Sequence, residues 1–353
     1  MSARINSSHS LRESILLKLD NKDISRKTEK KIASKISQIR NTSTPMVFAR
    51  EMISISNVLS GAKNHRVFEK IKCVIGDASL PTVKRHADFL LKKNIQSDDY
   101  SSMFDELMMS KLCKSEGVKH NANIVEFSSV DALFSFLNEN KGKDCDIKAV
   151  TKMARAGEKG ESHYACIDVL RRGSDLRMMV YDSAFIQMDN EAGTDHGFIS
   201  LKESISSFYP QMRDGADRVS VGFMEMGIQR SPKDCAIFSI STANNLSREK
   251  VTSQKMLSSL TLGGLTRFYE QTASHVINDK ESKTVATLPA LFLKHSTSGS
   301  GIKNSNLKDI VVNKKNNNLQ KRVEDRYVTR NGRSYSNSIE IKRQLYLNRL
   351  SSK

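Results

Sequence analysis

The stretch from Gln229 to Leu246 combines a cysteine with the predicted start of a helix. A polar loop precedes an apolar run with helical periodicity, and Cys235 stands where that run begins. Ser231 suits an N-cap and Pro232 suits the first helical position, so we predict Cys235 in the first turn. Free backbone N–H groups and the helix dipole favour a thiolate there. Cys235 is therefore a candidate nucleophile.

A cysteine nucleophile needs a base, and the base needs a group that orients it. Two apolar runs upstream predict strands, one beginning at His163 and one over 177–181 that ends at Asp182. If they pair as a hairpin with its turn at 171–175, His163 and Asp182 meet at the open end. Gln229 follows, six positions before the cysteine. The chain order is therefore His, Asp, Gln, Cys.

This order, with the segment from Glu225 to Ser239, resembles the YopJ family of effectors delivered by bacterial type III secretion. The catalytic core of that family is similar to the clan CE cysteine proteases, which act on ubiquitin-like proteins. Three further segments resemble the family, and the resemblance runs from about residue 100 to the end: 100–105, 292–297 and 311–316. Two positions depart from its usual pattern, since Asp182 replaces the more frequent Glu and Ala236 the more usual Gly.

The resemblance implies a Ser/Thr/Lys acetyltransferase that moves acetyl from acetyl-CoA through Cys235 onto host signalling proteins, such as kinases or immune regulators. His163 would be the base and Asp182 its orienting acid. The Gln229 amide and the Cys235 backbone N–H would form the oxyanion hole.

Family members are activated by inositol hexakisphosphate, and the resemblance implies that the basic C-terminal region binds it. Lys314, Lys315 and Arg322 are the candidates. Lys294 matches the lysine at which members acetylate themselves, and we place it in the same group of ligand-binding cations.

The predicted elements indicate an α+β fold, with a mixed sheet flanked by helices. We predict helices over 47–93, 101–112, 130–138 and 201–209, an extended segment at 123–127, a polar connection over 141–149, a strand over 219–226, helices from 246 to about 278, and an amphipathic helix over 339–350. In that last helix Ile341, Leu345 and Leu350 would point inward.

Three regions are predicted along the chain. Residues 1–45 would be a flexible secretion and translocation segment, 46–290 the clan CE-like catalytic core with its preceding helices, and 291–353 a basic regulatory segment. The resemblance also implies that the N- and C-terminal segments form a helical regulatory subdomain.

The charge of the chain is concentrated at its ends. Of a formal net charge of +17, residues 1–45 contribute +6 and residues 314–353 contribute +8. Such ends could bind nucleic acid, acidic lipid or a polyphosphate, or they could simply be solvated. Few aromatic residues are interleaved with the basic ones, which disfavours binding to single-stranded nucleic acid.

The five cysteines include no CxxC pair and no His/Cys cluster with metal-ligand spacing, so we expect thiols of a reducing compartment and no metal. Cys166 is predicted to face the core. No run of about 18 apolar residues predicts a transmembrane helix. The Ser-rich N-terminus lacks the apolar core of a Sec signal, and type III secretion signals are similar in character. The predicted destination is the host cell cytoplasm.

Two other functions remain open. A cysteine protease acting on ubiquitin or a ubiquitin-like protein could use the same catalytic residues. A nucleic-acid or membrane-binding adaptor with a degenerate core is the third possibility. The motifs that contain Lys294 and Lys314 favour the acetyltransferase, because a plain protease core does not need them.

Overall fold

A computed structural model describes residues 80–97, 99–154, 162–184, 216, 218–229, 231, 233–262, 271–277, 280–286, 288–297, 299–303, 305–330 and 333–351. The predicted secretion segment 1–45, the helices expected before residue 80 and the helix at 201–209 lie outside the described residues.

Nine helices lie in the described part: α1 (Leu80–Lys93), α2 (Asp99–His120), α3 (Val130–Glu139), α4 (Cys235–Arg248), α5 (Lys250–Leu262), α6 (Ala290–Leu293), α7 (Gly299–Lys303), α8 (Leu319–Glu324) and α9 (Ser338–Leu350). The strands found there are β1 (Ile124–Phe127), β2 (Cys145–Ala154), β3 (Ser162–Arg172), β4 (Asp175–Ala184), β5 (Arg218–Gln229), β6 (Gln271–Ile277), β7 (Lys280–Ala286), β8 (Tyr327–Arg330) and β9 (Arg333–Ser336).

Strands β1 to β7 form a mixed sheet in which the spatial order equals the chain order. β1 runs parallel to β2 and β4 parallel to β5, whereas the other neighbours are antiparallel. The predicted hairpin is confirmed: β3 pairs with β4, and Arg172 lies opposite Asp175. Gly173 has a φ of 54°, a left-handed conformation that glycine adopts without a Cβ penalty.

One face of the sheet packs against α3. The predicted helix at 130–138 is confirmed, and Ser129 caps it by accepting a hydrogen bond from the Ala132 N–H. Its buried residues follow a spacing of three and four, which places them on one face: Val130, Leu133, Phe134 and Leu137. They join Ile167, Val180 and other strand residues in one apolar core.

Helix α4, which begins at Cys235, packs against β2, β3 and β4. Every residue from Cys235 to Ser247 is buried, including serines and asparagines. Two of the serines donate to backbone carbonyls four residues earlier, Ser239 to Cys235 and Ser247 to Ala243. These bonds allow polar side chains to be buried.

Two secondary-structure predictions were wrong. The segment 141–149, predicted as a polar connection, contains the start of β2. Its buried Lys148 forms two ion pairs, in which Nζ lies 2.6 Å from Asp146 Oδ1 and 2.7 Å from Asp168 Oδ1. Residues 271–277, predicted as helical, form β6, because pairing with β5 and β7 overrides a weak local pattern. The strand predicted at 219–226 is confirmed within β5.

The chain divides into two compact units, residues 109–343 and residues 1–108 with 344–353. The first holds the sheet. In the second, His86 contacts the Phe104 ring edge-on, and the Gln344 side-chain amide donates to the Asp88 carboxylate at 2.6 Å. None of the helices that the structure describes is long and apolar enough to span a membrane.

The C-terminal helix α9 confirms the helix predicted at 339–350, but its predicted inward face was wrong. Leu345 is 46% exposed, while the buried residues of the helix are Ser338, Ile339, Glu340, Arg343, Tyr346 and Leu347. Beyond the first turn, the buried positions 339, 343, 346 and 347 follow the spacing of one helix face. The buried face was not recognised because it includes an arginine, whose charge is compensated inside the protein.

Candidate active site

A histidine and an aspartate meet at the open end of the β3–β4 hairpin. His163 Nε2 lies 2.7 Å from Asp182 Oδ2, and both residues are buried. The other carboxylate oxygen of Asp182 accepts a hydrogen bond from the Ala184 backbone N–H at 2.8 Å. Asp182 is therefore held by a local turn as well as by its histidine, so the acid has one orientation.

The charge of this pair is set by the contacts of His163. Burial by itself lowers the pKa of the imidazole, but the attraction and hydrogen bond of Asp182, and then those of Cys235, outweigh burial and raise the pKa from 6.5 to about 10. The imidazole is consequently protonated at neutral pH. A protonated histidine hydrogen-bonded to a cysteine favours the thiolate form of that cysteine.

Cys235 is the first residue of α4 and is 4% exposed. The predicted N-cap at Ser231 was wrong, since Asp234 occupies the position before the helix and its side chain makes no capping hydrogen bond. The Asp234 carboxylate is instead paired with Arg343 at 2.6 Å. Cys235 thus lies at the helix start, as expected, where unpaired N–H groups are available.

Gln229 ends β5 and is held on both sides of its amide. The Ser183 hydroxyl donates to Gln229 Oε1 at 2.6 Å, and Gln229 Nε2 donates to the Ser231 carbonyl at 2.5 Å. An amide nitrogen carries two hydrogens, so a second donor remains for a reaction intermediate. Ser183 was not predicted as part of the site, although its position directly after Asp182 indicates that it lies close to the other site residues.

The basic C-terminal region contains a pocket of about 300 Å³, lined by Asn313, Lys315, Asn317, Arg322, Asp325 and Arg326. Of the three predicted inositol phosphate ligands, Lys315 and Arg322 line it, whereas the exposed Lys314 does not. Arg326 was not predicted. Burial and then the neighbouring Arg326 lower the pKa of Arg322.

Two guanidinium nitrogens in this pocket are buried without a hydrogen-bond partner among the described residues, Nη1 of Arg322 and Nε of Arg326. Buried polar groups are normally paired, so such atoms indicate a site that an anion would complete.

Lys294 is buried, and its ammonium contacts Asn245 Oδ1 at 3.5 Å. Burial, and then Arg248 and Arg322, lower its pKa to about 8. The neighbouring His295 accepts or donates a 2.9 Å hydrogen bond with Ser338 at the start of α9, and burial lowers its pKa well below 6.5. Lys294 thus belongs to a cluster of cations around Arg322, rather than to the histidine–aspartate pair.

No cluster of three or more potential metal ligands occurs among the residues that the structure describes. Cys166, predicted to face the core, is fully buried, and burial raises its pKa above the usual range for a thiol. Cys113 is buried in the same way. Lys148 partly offsets the effect of burial on Cys166, but within the described residues neither thiol is hydrogen-bonded to a histidine as Cys235 is to His163.

The fold and the site thus define an α+β protein with a cysteine at a helix start facing a histidine–aspartate pair. The family model of YopJ serine/threonine acetyltransferases matches residues 80–349. The chain belongs to this family of acetyltransferases, which confirms the resemblance seen in its sequence. A comparison with curated proteins found no match.

Two solved structures show the same fold. One, described as AvrA delL154 with IP6 and CoA, is 19% identical and has a TM-score of 0.60, covering 77% of this chain and 97% of its own. The other is HopZ1a in complex with IP6 and CoA, at 13% identity and a TM-score of 0.56, covering 93% of this chain and 99% of its own. The predicted fold class, a mixed sheet flanked by helices, is confirmed.

Proposed function

We propose that this acetyltransferase is a type III secreted effector that transfers acetyl from acetyl-CoA, through a thioester at Cys235, to Ser, Thr or Lys of host signalling proteins in the host cytoplasm. Inositol hexakisphosphate activates it. The observation that carries the proposal is the buried His163–Asp182 pair beside Cys235 in a chain of this family. Residues 1–45 would serve secretion, 46–290 catalysis and 291–353 regulation.

In the first half-reaction the Cys235 thiolate attacks the acetyl carbonyl carbon, and a carbon–sulfur bond forms. His163 already holds the proton that left the thiol, and Asp182 keeps the imidazolium in place. When the tetrahedral intermediate collapses, the CoA sulfur leaves and takes that proton. Conversion of Cys235 to an uncharged thioester removes its part of the attraction that raises the pKa of His163, which favours release of the proton.

In the second half-reaction His163 accepts the proton of a substrate hydroxyl or amine while its oxygen or nitrogen attacks the acetyl carbon. Collapse of this intermediate breaks the carbon–sulfur bond and restores the Cys235 thiolate. In both halves the oxyanion would be held by the second N–H of Gln229 and the Cys235 backbone N–H. The fixed Gln229 amide supports this role, since donors need no reorganisation during the reaction.

The basic pocket is the candidate site for inositol hexakisphosphate. Lys315, Arg322 and Arg326 would neutralise phosphates, and the unpaired nitrogens of the two arginines would gain charge-assisted hydrogen bonds. Lys294 adds positive charge near Arg322. Lys314 would contribute only from the exposed loop beside the pocket.

Autoacetylation at Lys294 is part of the proposal. A pKa lowered to about 8 increases the fraction of neutral, nucleophilic amine at physiological pH. Its contact, Asn245, lies ten residues beyond Cys235 in α4, which corresponds to about 15 Å along a helix. Direct transfer within one molecule therefore requires Lys294 to move, whereas transfer between molecules requires its exposure.

The test is to incubate the purified protein with radiolabelled acetyl-CoA, with and without inositol hexakisphosphate, beside the Cys235→Ala variant. Label that depends on inositol hexakisphosphate and is absent from the variant supports the acetyl-enzyme and the regulatory role. Adding unlabelled Cys235→Ala protein as acceptor to the wild type distinguishes transfer between molecules at Lys294. No label on either protein, with cleavage of a ubiquitin-like probe by the wild type, would replace the proposal with the protease.

A further inference from the structure

The residue directly before the nucleophile is part of a buried ion pair. Asp234 Oδ1 lies 2.6 Å from Arg343 Nη2, and both side chains are almost completely inaccessible to solvent. Asp234 occupies the position that precedes α4, while Arg343 lies on α9, more than a hundred residues later in the chain. The second carboxylate oxygen of Asp234, Oδ2, has no hydrogen-bond partner among the described residues. Arg343 is thus the cation that balances this carboxylate.

Asp234 is the chain neighbour of Cys235, so the charge of its carboxylate bears on the proposed nucleophile. A carboxylate next to a thiolate disfavours the thiolate, and burial strengthens the repulsion because water does not screen it. The Asp234 side chain makes no capping hydrogen bond to α4, so helix capping does not explain why an aspartate stands at this position. Paired with Arg343, the carboxylate adds no net charge beside Cys235.

A second contact from the C-terminal region holds the other end of the same loop. The Thr297 backbone N–H donates to the Ile228 carbonyl at 2.8 Å, and the Ser296 and Thr297 hydroxyls approach the same oxygen. Ile228 precedes Gln229. The loop from Gln229 to Cys235 is therefore held by the C-terminal region at both ends.

We propose that Arg343 is a positioning residue for the cysteine, which fixes the start of α4 through Asp234 and neutralises the carboxylate beside the Cys235 thiolate. This inference rests on the proposed role of Cys235 as nucleophile. It assigns to the C-terminal helix a direct part in the reactivity of that residue.

The inference predicts opposite effects for the two partners. Arg343→Met leaves an unbalanced carboxylate beside the thiolate, so alkylation of Cys235 requires higher pH. Asp234→Asn removes the carboxylate while Arg343 keeps its charge, so alkylation proceeds at lower pH. An uncompensated charge within about 4–6 Å of a titrating group shifts its titration by about 1–3 pH units. The double variant removes both charges and returns the midpoint to that of the wild type.

The experiment measures the rate of iodoacetamide modification of the Cys235-containing peptide by mass spectrometry between about pH 5 and 10. It needs no acetyl-CoA, so a wild type that fails to transfer acetyl would refute the proposed function without affecting this test. The ionisable groups considered around the cysteine are His163 on β3, Asp182 on β4, Lys233 and Asp234 in the loop, and Glu340 and Arg343 on α9. Only Asp234 and Arg343 are changed in these variants, so the other groups are the same in every comparison.

Lys148→Met is the matched control. It breaks another buried ion pair of the same unit, with Asp168, which lies five residues from His163 along β3, or about 17 Å. It should destabilise the protein without moving the alkylation midpoint. Arg343→Lys, which keeps the charge, should retain a profile close to that of the wild type.

Opposite shifts of the single variants that cancel in the double variant would establish the role. If both singles are folded by circular dichroism and shift the midpoint in the same direction, or not at all, the pair is merely structural and the inference fails. If Arg343→Met does not fold, the decision passes to Asp234→Asn and the double variant. The inference is supported if the alkylation midpoint of Asp234→Asn lies at lower pH than that of the wild type and the midpoint of the double variant does not. Equal pH profiles of the two variants overturn it.

Discussion

Removal of the charge of Asp182 tests the electrostatic basis of the site. Asp182→Asn keeps the shape of the side chain but leaves His163 without its counter-charge. The raised pKa of His163 contributes stability that is fully present below about pH 6.5 and is lost as the pH rises through about 10. The variant should therefore be less stable than the wild type at pH 6, with the difference disappearing above about pH 10.

The size of the effect follows from the same pair. Breaking a buried ion pair by removing one partner costs roughly 3–5 kcal/mol. An increase in pKa from 6.5 to about 10 corresponds to a similar free energy, since one pKa unit equals about 1.4 kcal/mol. We expect a loss of that order in the free energy of unfolding at pH 6 and a smaller loss at pH 8.

The assay is urea unfolding followed by circular dichroism at several pH values, because the chain contains no tryptophan. Asp175→Asn is the control at the other end of β4, where the carboxylate accepts a 2.9 Å hydrogen bond from Arg177 Nε. Arginine stays charged over this range, so the control should lose little stability and show no pH dependence. If the loss in Asp182→Asn were constant from pH 6 to 10, His163 would not be the group that Asp182 holds charged.

Three further predictions concern the oxyanion donor, the basic pocket and one helix glycine. Gln229→Ala should lower the rate of Cys235-thioester formation by about a hundred- to a thousandfold without affecting binding of acetyl-CoA, as measured in single-turnover assays; an unchanged rate would exclude the donor role. In titration calorimetry Arg322→Ala should weaken the affinity for inositol hexakisphosphate and Asp325→Asn should strengthen it, because one removes a cation and the other an anion from the pocket; equal effects of both would contradict this assignment. Gly117→Ala should destabilise the protein by about 1–3 kcal/mol despite its better helix propensity, because an added Cβ would approach the backbone oxygen of Ala122 to 2.8 Å; a raised melting temperature would show that the backbone adapts.

The candidate site residues could be chosen from the sequence because each stands near a point where the local pattern changes. His163 is the second residue of β3, Asp182 lies two residues before the end of β4, and Cys235 is the first residue of α4. The partners that balance buried charges could not be predicted in this way. Arg343 has the appearance of a solvent-exposed residue in an amphipathic helix, and only the folded chain brings it to Asp234.

The same limitation explains the missed start of β2. Lys148 and Asp168 lie directly opposite each other in neighbouring strands, so each permits the burial of the other. Neither residue alone suits a buried strand, and the pairing depends on a register that a single strand does not reveal. Charged residues inside strands are therefore easily mistaken for connections when the sequence is considered one segment at a time.

The β3–β4 hairpin carries two buried carboxylates, Asp168 and Asp182, whose partners differ in chemistry. Asp168 lies within β3, pairs with Lys148 and accepts a hydrogen bond from Ser253 on α5, so it joins two strands and a helix. Burial lowers the pKa of Lys148, but the attraction and hydrogen bonds of Asp168 and Asp146 together outweigh burial and raise it, so the cation keeps its proton near neutral pH. Asp182 lies near the end of β4, and its partner is an imidazole that also contacts a thiol. A buried carboxylate can serve acyl transfer only when its partner can give up a proton to a reacting atom, and of the two carboxylates Asp182, with His163 as its partner, is the one that suits the proposed mechanism.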